Sequence, residues 1–142
     1  MTSRVAERWI LLVLRIGLGT VFIYAGALKW SDPWKFAEAV AAYKILPESL
    51  VNVVALVLPM LEMGAGLLMF TEKWAKIAAL IIVLMCLVFF TALVWAIVHH
   101  LQVDCGCFGS GESTVLGTWL PLGRDLVLLV TATWVYLRAR TS

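Results

Sequence analysis

Two cysteines separated by one glycine, in the run Asp104-Cys105-Gly106-Cys107-Phe108-Gly109, carry the strongest chemical signal in this 142-residue chain. An i, i+2 pair can close a small disulfide, because the intervening glycine permits the tight bend that such a bridge requires. Strained, exposed disulfides are the more oxidising and labile ones, so reversible thiol–disulfide exchange is one reading of the pair. A static loop staple is a second. A third is a soft-metal site in which His99 or His100 joins the two thiolates. The spacing is compatible with all three.

Several other residues place chemistry in apolar surroundings. Arg124-Asp125 opens the last apolar run, at about the level of the cysteine segment. The arginine there could favour a thiolate or hold a polar ligand, or it could snorkel to the headgroups. His99 and His100 could lower a nearby thiol's pKa or hold a ligand, or simply mark the end of their helix. Cys86 lies about ten residues into its apolar run, too far from Cys105 and Cys107 for a bridge, and reads as a small hydrophobe. Arg15 and Glu62 sit about six and eight residues from the same end of two consecutive antiparallel runs. A lone charge at such depth costs roughly 2.5–3.5 kcal/mol on insertion scales, so the two are expected to pair. Small residues beside them (Gly19 and Gly26 with Arg15, Gly66 with Glu62) would let the helices approach closely. The pair reads either as a structural clasp or as a polar wall for a headgroup or proton path.

The elements that must position these groups are membrane helices. Hydrophobic residues make up 63% of the chain and charged residues 14%, with a mean hydropathy of +0.97. A soluble globule of this size could not hide so much apolar surface. The net charge of +2 is too small to suggest nucleic-acid binding. Apolar runs of spanning length cover residues 9–28, 50–70, 77–98 and 119–137, which predicts an all-α, four-helix transmembrane bundle as a single domain. Ala25-Gly26-Ala27 could pass for a signal-peptidase site, but Arg15 within the preceding stretch argues for a retained helix. Arg4, Arg8, Lys73, Lys76, Arg138 and Arg140 cluster at one side. Lys29, Lys35 and Lys44 lie at the other, diluted by acidic residues. The positive-inside rule then predicts cytoplasmic termini and a periplasmic cysteine segment. Between the first two spans, Ser31-Asp32-Pro33 is a helix-start signature. The residues after it, with Trp34, Ala37, Val40 and Ala41 on one face, predict a short interfacial helix.

Taken in order, these residues resemble the DoxX-like membrane proteins, and more narrowly the branch that includes the methylamine-utilisation family MauE. The resemblance rests on Arg15, Gly19, Phe22, Gly26 and Lys29, then Asp32-Pro33 and Phe36, then Tyr43 through Leu46-Pro47. It continues with Pro59, Glu62 and Gly66, the Cys105–Gly109 segment, and Arg124-Asp125. It spans nearly the whole chain. The resemblance implies a four-helix inner-membrane protein tied to redox chemistry. The MauE branch is linked to maturing a disulfide-rich periplasmic enzyme subunit beside a thioredoxin-like partner, and other DoxX relatives to sulfur-compound oxidation with quinone.

The expectation is a bacterial inner-membrane thiol–disulfide redox protein in which Cys105 and Cys107 exchange a disulfide with a periplasmic thioredoxin-like partner. A quinone in the outer half of the bundle is the simplest electron acceptor, with Arg124, His99 or His100 near its oxygen. A non-catalytic assembly or anchoring subunit is the alternative, and a metal-trafficking protein the third reading. No bound metal and no nucleic-acid partner are expected.

Overall fold

The computed structural model describes residues 2–101 and 115–141, and the described chain is helical throughout apart from its turns. Five helices follow one another: α1 (Thr2–Ser31), α2 (Pro33–Ala42), α3 (Glu48–Leu68), α4 (Ala75–Val98) and α5 (Val115–Thr141). Three of them, α1, α3 and α4, are long and apolar enough to cross a membrane. The longest shared surfaces run between α1 and α3 and between α4 and α5. Further contacts join α2 to α3, α3 to α4, and α1 to α5.

Each long helix begins before the apolar run that marks it. α1 starts seven residues ahead of residue 9 because its first turns carry good helix formers such as Ala6, Glu7 and Arg8. An ion pair between Glu7 and Arg138 ties that polar extension to the end of α5. Pro59 lies within α3 without ending it. The carbonyl that proline frees can be re-satisfied by neighbouring groups in a membrane helix.

The packing is that of a membrane protein. Small and medium side chains fill the core: Ala65, Ala78, Ala79 and Ala132 beside Leu18, Phe22, Met69, Ile82 and Val135. Large apolar residues such as Val13, Val53, Val88 and Val127 face outward, where lipid tails solvate them as well as a core would. The tightest contact is between α1 and α3. A Cβ added to Gly19 would lie 2.8 Å from the carbonyl oxygen of Gly66, and one added to Gly66 would lie 2.7 Å from that of Gly19. Neither obstacle is a flexible side chain, so the helices themselves would have to separate. Gly66→Ala should therefore lower thermal stability in detergent by about 1–3 kcal/mol, the usual cost of overpacking. Gly64→Ala, which meets nothing within 4 Å, should leave it unchanged. Equal melting shifts for the two variants would show that the close approach does not limit stability.

Asp32 caps α2 as its sequence suggests. Its side chain accepts from the Lys35 N–H at 3.1 Å, and Pro33 occupies the first turn. Toward the bundle α2 turns a different side from the Trp34 face expected at the interface. Phe36 is the buried residue, Trp34 is 80% exposed in the isolated chain and Ala41 is exposed too. The cause is Lys29, whose buried ammonium lies 5.2 Å from the centre of the Phe36 ring, so α2 is rolled to bring that ring over the cation. At its far end α4 closes in a Schellman motif. His100 takes a left-handed φ of 52° and donates to Ile97 O, while Leu101 donates to Ala96 O.

Candidate functional site

The centre of the described site is a buried ion pair between α1 and α3. Lys29 Nζ lies 2.6 Å from Glu62 Oε1, with the two side chains 0% and 2% exposed. The same ammonium stands 4.7 Å from the centre of the Phe89 ring of α4. Lys29 is thus held by a carboxylate and two aromatic faces from three different helices.

The expected Arg15–Glu62 pair does not form. Gly19 lies against Gly66 and Gly26 against Pro59, a register that sets Arg15 opposite Phe70 and Glu62 opposite Ile23. Helical side chains lean toward their own N-terminus. In antiparallel helices, Lys29 therefore leans toward Glu62 and Glu62 toward Lys29, while Arg15 leans away. Arg15 Nε instead donates to the carbonyl of Met69, the C-cap of α3, at 3.1 Å. A cation suits that helix end, where carbonyls lack partners and the dipole is negative.

On the far side of Glu62 a small cavity of about 30 Å3 lies between α1, α3, α4 and α5. Glu62, Cys86, Arg124 and Asp125 supply its polar lining, with Phe22 and Phe89 among its apolar walls. Asp125 is buried. Its Oδ1 accepts from Arg124 Nη2 at 3.0 Å, and its Oδ2 has no hydrogen-bond partner among the described residues. The space suits one water, which would find several polar partners there. Two carboxylates, a guanidinium and a thiol around such a space can hold a proton or a water inside the bundle. Cys86 belongs to the core, as its sequence surroundings suggest, and also faces this cavity. Convergence of Cys86 and Asp125 on Glu62 is not visible in the sequence, because it depends on how α4 and α5 are rotated.

Cys105 and Cys107 lie outside the described residues. The described chain brings their neighbours to one end of the molecule, where α4 finishes at Val98 and α5 starts at Val115. His99 is exposed and stacked on Trp95, with ring centroids 3.9 Å apart. Its Nδ1 lies 2.9 Å from Trp95 O. A carbonyl only accepts, so Nδ1 carries a proton and donates to it. His100 serves as the helix terminator described above. Arg124 is at the cavity, away from both histidines' helix end by several turns of α5. Arg124, His99 and His100, the alternatives expected near a quinone oxygen, thus have different surroundings.

The described residues offer little for a quinone. The central cavity is far too small for a ring. A groove of about 440 Å3 on the outer face of α4, lined by Ile45, Leu87, Val88, Thr91, Ala92 and Trp95, is large enough. Its one hydroxyl, that of Thr91, already donates to Leu87 O. No group of three His, Cys, Asp or Glu side chains that could hold a metal occurs among the described residues.

Comparison with known proteins supplies the family. The profile described as methylamine utilisation protein MauE matches residues 7–138. The methylamine utilization protein MauE of Paracoccus denitrificans is 32% identical over 133 residues, covering 93% of this chain and 71% of its own length. No solved structure matches significantly. Lys29, Glu62, Cys86, Arg124 and Asp125 all fall within the matched region, and the chain belongs to the MauE family.

Proposed function

We propose that this chain is a four-span accessory protein of the inner membrane that exchanges electrons with a periplasmic thioredoxin-like protein through Cys105 and Cys107. In this reading α5 is the fourth span, α2 lies at the interface, and both termini are cytoplasmic. The observation that carries it is the convergence of Glu62, Cys86, Arg124 and Asp125 on one buried cavity. Ionisable side chains inside a membrane are costly and mark functional paths. They lie between helices whose connecting segment holds the two cysteines. Burial of Lys29 in an ion pair also removes one cation from the external count, which sharpens the charge asymmetry behind the orientation.

The exchange itself is balanced within the two proteins. A partner thiolate attacks the Cys105–Cys107 bond and forms a mixed disulfide. The second partner thiol then displaces the loop thiolate. Two electrons and two protons pass to this chain, and the partner becomes oxidised. Re-oxidation needs a two-electron acceptor, for which a membrane quinone is the proposed class. The α4 groove beside Trp95 has the size for its ring, and Nε2 of His99 could accept a proton near that end. The DoxX-like relationship fits this chemistry and rests on the sequence motifs.

The test is equilibration of the membrane protein against glutathione buffers, read by alkylation mass. A reversible pair with a potential well above about −300 mV, the region of structural bridges, is the expected result. An impermeant thiol reagent should also label both cysteines in reduced, intact spheroplasts. A bridge that stays oxidised in strongly reducing buffer would instead make the protein a non-catalytic assembly or anchoring subunit. Labelling only after lysis would overturn the orientation.

A further inference from the structure

At the end of the molecule opposite the cysteine segment, a groove of about 1060 Å3 opens between the first turns of α1, the start of α4 and the last turns of α5. Four cations line it, Arg8, Arg15, Lys73 and Lys76, against one carboxylate, Glu72. None of the four forms an ion pair among the described residues. The nearest other acid along α1, Glu7, is already engaged by Arg138.

We infer that this groove binds an anionic phospholipid, its phosphate held by the arginine and lysine side chains and its acyl chain laid along the apolar wall. The cations are staged in depth. Arg8 and Arg15 are seven residues apart on one face of α1, roughly 10 Å along the axis. Lys73 and Lys76 stand at the mouth beside the α3–α4 turn. Arg15 is only part-buried, and its hydrogen bond to Met69 O uses Nε, so the two terminal nitrogens of the fork are placed to meet a partner of opposite charge. The lysine stems are steadied by aromatic rings, Lys73 over Trp74 at 6.0 Å and Lys76 over Tyr136 at 5.9 Å.

The walls decide between a lipid and a soluble anion. Between and beside the cations the groove is walled by Leu11, Leu12 and Val135, on helices that the membrane reading places within the hydrocarbon. A space of this size, at the upper end of roughly 300–1,000 Å3 ligand clefts, cannot remain empty beside lipid. Cations staged in depth with apolar walls between them suit an amphipathic anion. Basic clefts between spans on the cytoplasmic side are where anionic headgroups dock. The inference rests on the membrane reading and is independent of the redox one.

Purified full-length protein in neutral detergent should be titrated with phosphatidylglycerol or phosphatidylcholine and examined by native mass spectrometry, with melting followed in parallel. One phosphatidylglycerol per chain should be retained at least tenfold more strongly than phosphatidylcholine, with a raised melting temperature. Arg8→Gln with Lys76→Gln should remove most of that preference without altering the lipid-free melting temperature. Arg4→Gln, at the same end but outside the groove, should keep it. Equal retention of the two lipids would overturn the proposal. So would an Arg4→Gln loss matching that of Arg8→Gln, which would mean a diffuse surface effect. Stabilisation by inorganic phosphate equal to that by phosphatidylglycerol would also overturn it, because the acyl wall would then have no role.

Discussion

Lys29→Met and Glu62→Met should each destabilise the protein by about 3–5 kcal/mol, and the double substitution should recover most of that loss. Both side chains are almost fully buried and lie 2.6 Å apart. Removing either leaves the other charge without its counter-ion in a low-dielectric core, which is the costly case, whereas replacing both with apolar groups of similar volume is often close to neutral. The aromatic faces of Phe36 and Phe89 beside the ammonium would soften the loss of Glu62 somewhat, since each can attract a cation. A double-mutant cycle on unfolding in detergent measures the coupling. Arg15→Met, which loses a hydrogen bond at the end of α3, should cost about 1 kcal/mol and show no coupling to Glu62. Additive losses for Lys29 and Glu62, or coupling between Arg15 and Glu62, would contradict the register of α1 on α3.

The sequence made the helices and the glycine contact legible but misassigned the ion pair, and one physical simplification accounts for that. Counting residues from the ends of the apolar runs ranks Cα levels. It neglects the lean of each side chain toward its helix N-terminus, which separates Arg15 from Glu62 and brings Lys29 to it. The signal was present in the periodicity. Arg15, Gly19, Phe22, Gly26 and Lys29 recur at spacings of three and four, so Lys29 continues the face that packs on α3. Its position at the end of an apolar run made it look like a loop cation. The same oversight left the inward turn of Phe36 unforeseen, because that ring covers a cation assumed to be in water. The central cavity had no one-dimensional trace, since Cys86 and Asp125 reach it from helices whose rotation only packing determines. Cys105 and Cys107, on which the proposed exchange turns, lie outside the described residues and rest on their spacing.

Substitution of either Cys105 or Cys107 by serine should reduce exchange with the thioredoxin-like partner at least a hundredfold, while Cys86→Ser should leave most of it. Exchange needs one thiol to enter the mixed disulfide and a second to resolve it, so the thiolate of a single remaining cysteine can attack the disulfide of an oxidised partner but cannot complete the cycle. Given oxidised partner, one of the two serine variants should therefore accumulate a covalent complex with it, seen as a dithiothreitol-sensitive band in membranes. The variant that does so identifies the cysteine that meets the partner. Cys86 is separated from the cysteine segment by the rest of α4, thirteen residues to His99 or about 20 Å of helix, and is buried in the core. A partner thiolate cannot reach it. Serine there adds a hydroxyl beside a cavity already lined by Glu62, Arg124 and Asp125, where it finds partners and should disturb the fold little. Membranes supplied with reduced partner, with and without added quinone, give the readout through alkylation of partner thiols. Wild-type exchange by Cys105→Ser would remove the loop pair from the reaction. Loss on Cys86→Ser in a protein that still melts normally would move the chemistry to the buried cavity.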